Sequence, residues 1–227
     1  MKPKLSIIIP VLNEAERLDS TLQELQTLRR DCELILADGG STDGCPNLAV
    51  QLVDKVICSL PGRAKQMNAG SAEAQADILL FLHADTQLPN NAVQKILQAI
   101  EHGYHWGRFD VQFDSPHPIF YIIAFMMNWR SRLTGIATGD QAIFVTREAF
   151  NTAGSFPNIA LMEDIAISKQ LNKRGKPCCL RAKVTTSARR WQQHGVLKTI
   201  LLMWRLRLAY FFGADPNNLA AQYYRSS

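Results

Sequence analysis

The sequence predicts a single α/β domain with a mixed, mainly parallel sheet flanked by helices. Residues 5–10 form an apolar, β-branched run that suits a strand covered on both faces. Similar runs alternate with helical patterns through the first hundred residues, which indicates right-handed β-α-β units. A chain of 227 residues, 47% of them hydrophobic, is long enough for one such domain, and no linker, repeat or low-complexity segment divides it.

The individual elements follow from their apolar patterns. Leucines at three- and four-residue steps predict a helix over residues 14–28, with acidic residues in its first turn. The further strands of the first half are expected at 33–37, 55–58 and 78–82, and its helices at 47–53, 64–75 and 91–101. In the second half we expect helices at 116–133, 163–173 and 196–212 and a strand at 142–145.

One strand of the second half has a different pattern. Over residues 108–113, Phe and Val alternate with Arg108, Asp110 and Gln112. This alternation predicts an antiparallel strand with one wetter face.

The composition limits the partners and the compartment. A net charge of +5 and a pI near 9.0 favour anionic partners such as nucleotide phosphates or lipid headgroups. Nucleic acid is not expected, because no aromatic residues are interleaved with Lys and Arg on an exposed strand pattern. Five cysteines without CxxC spacing indicate a reducing compartment and no structural zinc, so we expect a cytoplasmic protein. No apolar run reaches the roughly 18 residues that span a bilayer.

Three polar clusters mark a candidate site. Asp38 and the segment 83–85 (His-Ala-Asp) follow predicted strands directly, and Glu163 and Asp164 open a helical pattern. The carboxyl ends of parallel strands meet at one edge of a sheet, where ligands bind in open α/β folds. Such an arrangement suits a metal-bound diphosphate and a general base. The chain has neither a P-loop nor a GxGxxG motif after its first strand.

The ends of the first two strands carry groups that can recognise a nucleotide base. Pro10 sets a turn, and Asn13 and Glu14 offer polar side chains at a helix start. Asp38 can accept a hydrogen bond from the N3–H of a uracil. The alternative explanations are a simple helix cap for the first group and an ordinary turn for the second.

Phosphate and metal chemistry are indicated further along the chain. Arg63 and Lys65 lie at a predicted helix N-terminus, where a bound phosphate would be favoured; a solvated basic turn is the alternative. Asp85 suits Mg²⁺ or Mn²⁺, since a hard cation that bridges diphosphate oxygens takes few, mostly carboxylate, protein ligands. His83 is a softer group that lines the same site, and a helix cap is the alternative role for Asp85.

Taken together, these segments resemble a family 2 glycosyltransferase of the GT-A fold. The resemblance is carried by residues 5–14, 38–44, 63–70, 83–86, 139–145 and 163–164. It implies that the nucleotide is held by Pro10, Asn13, Glu14, Asp38 and Arg63. It also implies that Asp85 holds the metal and the diphosphate and that Asp164 deprotonates the acceptor hydroxyl.

The resemblance implies a specific reaction. The donor is expected to be a nucleotide diphosphate sugar, uridine-based, and the acceptor is either lipid-linked or a small molecule. An Asp164 base opposite a metal-held leaving group implies single displacement with inversion, and Glu163 would orient the acceptor or support that carboxylate. Residues 1–100, approximately, form the nucleotide-binding half and residues 101–227 the acceptor half.

Two positions depart from the family pattern. His83 stands where the family's Asp-x-Asp motif has its first carboxylate, and Gly39 stands where a second acid usually follows Asp38. We expect His194 to replace the missing metal ligand, with a surface histidine as the alternative. Arg190 is expected to clamp the leaving diphosphate. The short length and the segment 187–191 are similar to a small bacterial subgroup associated with radical-SAM and selenium-domain genes.

The helix predicted at 196–212 mixes Leu, Ile, Trp and Phe with Lys198, Arg205 and Arg207. It suits either contact with an anionic membrane surface, which would present a lipid-linked acceptor, or packing on the sheet or in a homo-oligomer. Two alternatives to a glycosyltransferase remain, a catalytically silent nucleotide-sugar-binding module and a nucleotidyltransferase. The second would need a glycine-rich phosphate loop after the first strand.

Overall fold

The computed structural model describes residues 2–225. Over this range the strands are β1 (Leu5–Val11), β2 (Cys32–Asp38), β3 (Lys55–Cys58), β4 (Ile78–Phe81), β5 (Thr86–Gln87), β6 (Trp106–Phe113), β7 (Ile143–Thr146) and β8 (Cys178–Thr186). The α-helices are α1 (Ala15–Leu25), α2 (Cys45–Ala49), α3 (Arg63–Glu73), α4 (Ala92–Glu101), α5 (Pro118–Thr134), α6 (Arg147–Thr152), α7 (Glu163–Asn172), α8 (Arg189–His194), α9 (Val196–Phe211) and α10 (Pro216–Arg225). Two 3₁₀ turns cover Gln26–Leu28 and Gly139–Gln141.

The strands form one sheet in the order β3-β2-β1-β4-β7-β6-β8-β5. The first four are parallel, β7 is antiparallel to both of its neighbours, and β8 is parallel to β6. The predicted mixed, mainly parallel sheet with flanking helices is therefore confirmed. The strand predicted at 108–113 is antiparallel to β7, as expected, but its other neighbour β8 runs parallel to it.

Both faces of β1 are buried. Ile7 and Ile9 belong to one core cluster together with Leu18 of α1, and Ile8 belongs to a second cluster on the other face. A Cβ added at Gly70 of α3 would lie 2.5 Å from Cγ2 of Ile8, so only glycine lets α3 pack this closely on β1. This close packing fixes the first turn of α3 at the carboxyl end of the sheet.

The wetter face expected for β6 is wrong for two of its three polar residues. Arg108 is 0% and Asp110 8% exposed, because α5 covers this part of the face, whereas Gln112 is exposed. Arg108 donates to Oγ of Ser131 at 3.1 Å and to the carbonyl of Asn128 at 3.1 Å, and it pairs with Asp110. Arg132 donates to Oδ2 of Asp110 at 2.6 Å. Arg108 and Asp110 thus belong to a buried hydrogen-bonded network and do not face water.

Several elements were not predicted. They are β5 in the first half of the chain and β8, α6, α8 and α10 in the second half. Charged residues interrupt the apolar alternation of β8, so its sequence pattern is weak, and this segment is a strand because it pairs with β6. Helix α9 packs its inward side chains against α5, α7 and α10. Within residues 2–225, no helix has the length and apolar character needed to cross a bilayer.

Candidate active site

A cavity of about 680 Å³ lies at the carboxyl ends of β1 and β4. Eight of the residues predicted for the site line it: Pro10, Glu14, Arg63, His83, Asp85, Glu163, Asp164 and Arg190. Helices α5, α9 and α10 close its other side. The remaining four predicted residues, Asn13, Asp38, Lys65 and His194, lie outside its lining.

Asn13 ties together the loops that follow β1 and β2. Its backbone N–H donates to Oγ of Ser41 at 2.9 Å, and its Oδ1 accepts from the N–H of Thr42 at 2.9 Å. Asp43 accepts from the N–H of Ala15 at 2.8 Å. Asn13 adopts a positive φ of 56°, a conformation that Asn tolerates better than most residues. The two loops therefore form one hydrogen-bonded wall beside the cavity.

Asp38 organises its own turn. It is 3% exposed and accepts from the N–H of Gly40 at 2.9 Å and from that of Ser41. Next to it, Gln66 of α3 donates to the carbonyls of Val11 and Ala37 at 2.6 and 3.0 Å and so bridges the ends of β1 and β2.

Gly39 leaves room for this bridge. A Cβ at Gly39 would lie 3.1 Å from Cδ of Gln66. The side chain of Gln66 thus occupies the space in which a second acidic side chain after Asp38 would begin, which gives this departure from the family pattern a physical reason.

His83 faces a carboxylate that sequence reasoning missed. Because β7 is antiparallel to β4, the segment before β7 meets the segment after β4, and Oδ1 of Asp140 lies 3.4 Å from Nδ1 of His83. Burial opposes ionisation of Asp140, but the hydrogen bond and charge of His83, followed by Arg63 and Arg207, outweigh it and lower the pKa of Asp140. Two signals in the sequence could have found Asp140, its position just before a predicted strand and its place in the segment 139–145 that carries the family resemblance.

The other ring nitrogen of His83 has no partner. Nε2 is buried, makes no hydrogen bond within the described residues, and would lie 2.3 Å from a Cβ at Gly139. Glycine at this position is therefore what allows His83 to sit in the wall of the cavity.

Two carboxylates, Glu14 and Asp85, line the cavity and influence each other. Burial and the negative charge of Asp85 raise the pKa of Glu14. Among residues 2–225, no three His, Cys, Asp or Glu side chains converge as a closed metal site would require. In particular, His194 does not line the cavity that Asp85 lines.

The catalytic pair predicted at the start of α7 is held rigidly. Oδ2 of Asp164 accepts from the N–H of Gly139 at 3.0 Å, and Oδ1 accepts from the N–H of Ile165 at 2.7 Å. Glu163 is 4% exposed, and its Oε1 lies 3.9 Å from Nη1 of Arg63. Burial and the charge of Asp164 raise the pKa of Glu163. Asp164 thus points into the cavity with fixed orientation.

The C-terminal helix α10 contributes residues that the sequence did not reveal. Tyr223 and Tyr224 line the cavity, and the guanidinium of Arg190 stacks 3.6 Å from the centre of the Tyr223 ring. Arg190 also donates to the hydroxyl of Tyr223. The ring thereby orients Arg190 at the cavity wall.

Two further arginines on the cavity wall were also missed. Arg130 of α5 and Arg207 of α9 line it, and Nε and Nη2 of Arg130 and Nε of Arg207 are buried without a hydrogen-bond partner among the described residues. Burial and the charge of Arg207 lower the pKa of Arg130 to about 10. Sequence reasoning assigned Arg130 no distinct role, and it indicated Arg207 only as part of a basic amphipathic helix and not as a residue of this cavity.

The fold and this site define a class of protein. A crevice at the carboxyl ends of parallel strands, lined by carboxylates and arginines, is typical of an enzyme that binds a phosphate-bearing ligand. Residues 6–153 match the family model "Glycosyl transferase family 2", and the chain belongs to that family.

A curated relative and two solved structures agree with this assignment. The undecaprenyl-phosphate 4-deoxy-4-formamido-L-arabinose transferase of Photorhabdus laumondii is 30% identical over 113 residues, which are 44% of this chain and 35% of the relative. The chain therefore matches only about a third of that protein's length.

The solved structures share the fold at low identity. A mannosyltransferase of Pyrobaculum calidifontis in complex with GDP-Man and Mn²⁺ has a TM-score of 0.66 at 17% identity, covering 92% of this chain and 61% of that one. The S. aureus TarS 1-349 in complex with UDP-GlcNAc has a TM-score of 0.67 at 15% identity, covering 81% and 58%. The chain is a glycosyltransferase of the GT-A fold.

Proposed function

We propose that this chain transfers a sugar from a nucleotide diphosphate sugar, UDP-linked, to an acceptor hydroxyl with inversion. The observation that carries the proposal is that Asp164, Asp85 and Arg63 line one cavity at the carboxyl edge of the sheet. A base, a diphosphate site and an arginine are the groups that such a displacement needs. The solved neighbours with bound GDP-Man and UDP-GlcNAc support a nucleotide sugar as donor.

The donor is assigned to the loops after β1, β2 and β4. Pro10, Glu14 and Arg63 line the cavity beside the nucleotide, while Asn13 and Asp38 shape the adjoining loops. Lys65 lies one helical turn from Gly62 in α3 and adds positive charge at that helix start. Arg190, oriented by Tyr223, is assigned to the leaving diphosphate.

A divalent cation fits this site if the diphosphate supplies most of its ligands. Asp85 and Glu14 are two carboxylates close enough for the charge of one to raise the pKa of the other, and Mg²⁺ or Mn²⁺ would relieve that repulsion. When bound, the cation neutralises charge on the departing diphosphate. His194 remains a predicted ligand that lies outside the cavity lining.

Asp164 is assigned as the base. The acceptor oxygen forms a bond to the anomeric carbon while the bond from that carbon to the diphosphate oxygen breaks, and the hydroxyl proton passes to a carboxylate oxygen of Asp164. Its hydrogen bonds to Gly139 and Ile165 hold this carboxylate in place during the transfer. Glu163, paired with Arg63, supports the same helix start.

The acceptor and its location also belong to this proposal. The relative from Photorhabdus laumondii is an undecaprenyl-phosphate 4-deoxy-4-formamido-L-arabinose transferase, and this similarity supports a lipid-linked acceptor. We assign the chain to the cytoplasmic face of the membrane as a peripheral protein, where such an acceptor is reached.

The proposal is tested by a donor screen with and without Mn²⁺. UDP-, GDP- and dTDP-sugars are compared for thermal stabilisation and for metal-dependent hydrolysis. We expect UDP-sugars to stabilise the protein; the absence of any binding at millimolar concentration would overturn the proposed function.

The role of Asp164 is tested with Asp164→Asn. Loss of the base should lower kcat about 10²- to 10⁴-fold while nucleotide-sugar binding stays within about twofold. Glu148→Gln is the matched control, because Glu148 is also an acidic residue in the first turn of a helix but is exposed and away from the cavity. Equal turnover of Asp164→Asn and the control would remove Asp164 as the base.

A further inference from the structure

The cavity wall formed by α5 and α9 holds two guanidinium groups that the proposed donor chemistry does not use. Arg130 and Arg207 both line the cavity, and three of their nitrogen atoms are buried without a hydrogen-bond partner in the described part of the chain. A buried, unpaired donor on a cation is costly for the free protein. Two such groups on neighbouring helices indicate that a ligand completes them.

The electrostatic surroundings agree that an anion belongs there. Burial and the charge of Arg207 lower the pKa of Arg130, and burial lowers that of Arg207. The charges of Asp164 and Asp140 act in the opposite direction on both arginines, yet no ion pair within 4.0 Å is formed with either carboxylate. The protein thus places two cations beside each other and near the proposed base without neutralising them directly.

The pair differs from the cations that act on Glu14, which are Arg17, Arg189 and Arg63. The charge of Asp164 acts on both Arg130 and Arg207, and Arg207 shares its influence on Asp140 with Arg63. The two arginines therefore lie in the part of the cavity wall that is near the proposed base.

The helices that carry the pair also expose apolar side chains. On α5, Tyr121, Phe125 and Trp129 are each at least 55% exposed, and on α9 Leu201 and Trp204 are as well. Met126, Met203 and Trp204 continue this apolar surface into the cavity itself. An acceptor that is anionic at one end and apolar at the other fits such a passage.

We propose that Arg130 and Arg207 form an acceptor site that binds a phosphate group of the acceptor and places the attacking oxygen of the acceptor at Asp164. This inference rests on the proposed function for its second half, the placement of the attacking oxygen. Guanidinium groups bind phosphate through paired, charge-assisted hydrogen bonds, and Nε and Nη2 of Arg130 offer such a pair. The phosphate is carried either by a lipid or by a water-soluble acceptor, and the two sources differ in whether they use the apolar passage.

The test is a calorimetric titration of the full chain with two phosphate monoesters. Farnesyl phosphate in detergent micelles represents a lipid source, and glycerol 3-phosphate represents a soluble source. Arg130→Gln and Arg207→Gln should each weaken binding of the tighter probe at least tenfold, and farnesol, which lacks the phosphate, should bind at least tenfold more weakly than farnesyl phosphate. Arg205→Gln is the matched control, an exposed arginine of the same helix α9, and should change affinity less than twofold.

The outcomes separate the sources and the alternatives. Tighter binding of farnesyl phosphate identifies a lipid-borne acceptor, and equal or tighter binding of glycerol 3-phosphate identifies a soluble one; both support the site if the two arginines are required. Unchanged affinity in Arg130→Gln and Arg207→Gln, equal binding of farnesol, or no binding of either phosphate would overturn it. Thermal unfolding of each variant checks that it is folded.

Nucleotide binding distinguishes this inference from the proposed function. The affinity for UDP-sugars should fall in Arg63→Gln and stay within about twofold of the wild type in Arg130→Gln. The affinity for the phosphate probe should fall in Arg130→Gln and stay within about twofold in Arg63→Gln. If no nucleotide sugar binds but the probe still needs both arginines, the proposed function fails and the anion site stands. If nucleotide sugars bind and the affinity for the phosphate probe is unchanged in both arginine variants, only the proposed anion site is wrong.

Discussion

Helix α5 carries two arginines, Arg130 and Arg132, that differ in whether their charges are paired. Arg132 joins Arg108 around Asp110 beneath the sheet, where the charges are paired and hydrogen-bonded. Arg130, two residues earlier, points to another side of the helix, as residues two apart must, and lies in the cavity wall, where its Nε and Nη2 have no hydrogen-bond partner within residues 2–225. The difference separates charges that hold the fold together from charges that the fold leaves open for a ligand.

Breaking the buried network should have the largest effect. Asp110→Ala leaves Arg108, which is 0% exposed, without its counterion, and we expect a loss of about 3–5 kcal/mol in the free energy of unfolding, measured by urea denaturation. Replacing both partners, Arg108→Met with Asp110→Leu, should recover part of this loss, because neither charge then remains buried. A loss below about 1 kcal/mol for the single variant would show that the network is not what stabilises this face.

The close contact between Gly139 and His83 in the cavity wall should give the next largest effect on stability. Gly139→Ala places a Cβ against the ring of His83 and should destabilise the protein by about 1–3 kcal/mol through overpacking. Gly175→Ala is a suitable control, since nothing lies within 4 Å of its added Cβ. The double variant with His83→Ala should remove most of the cost, and failure to do so would place the clash elsewhere.

Replacing Arg130 and replacing Arg132 should change Tm in opposite directions. Arg130→Gln removes a buried, unpaired charge and should raise Tm by about 1–3 °C, whereas Arg132→Gln removes a partner of Asp110 and should lower Tm. Differential scanning calorimetry without ligand measures both. A fall in Tm for Arg130→Gln would mean that its charge is already compensated in the free protein.

The smallest expected effect concerns Glu163. Because burial and Asp164 raise its pKa in the folded protein, protonated Glu163 favours the native state, and this contribution is lost as pH rises from below its ordinary value of 4.5 through the raised pKa. Glu163→Gln should therefore match the wild type in Tm near pH 4 and exceed it slightly near pH 8. A difference in Tm that does not change with pH would contradict this assignment.

The sequence predicted the parts of the site that follow directly from strand ends. Asp85 and Asp164 come after recognisable patterns, and they line one cavity as expected. Asp140 was missed because its contact with His83 depends on the antiparallel register of β7, which local patterns do not reveal. The place of Arg130 and Arg207 in the cavity wall was missed because their helices meet only through tertiary packing, and apolar periodicity does not show which polar residue is left unpaired.

The same limit explains the errors in the fold. The alternation in β6 was real, but a polar face indicates water only when nothing covers it, and α5 covers this one. The metal role of His194 stays a prediction; it rested on the position of His194 after the proposed base, and the structure places His194 outside the cavity lining.

The order of strands in the sheet has a mechanical consequence. Since β7 forms a hydrogen-bonded ladder with β4, the first and second halves of the chain are joined through the middle of one sheet. Under the proposed function, the sheet would therefore fix the distance between the proposed diphosphate site and the proposed acceptor site. If α9 and α10, which cover the cavity, must be displaced to admit the sugar, a cross-link that ties α10 to α3 should trap a bound nucleotide sugar without altering the sheet.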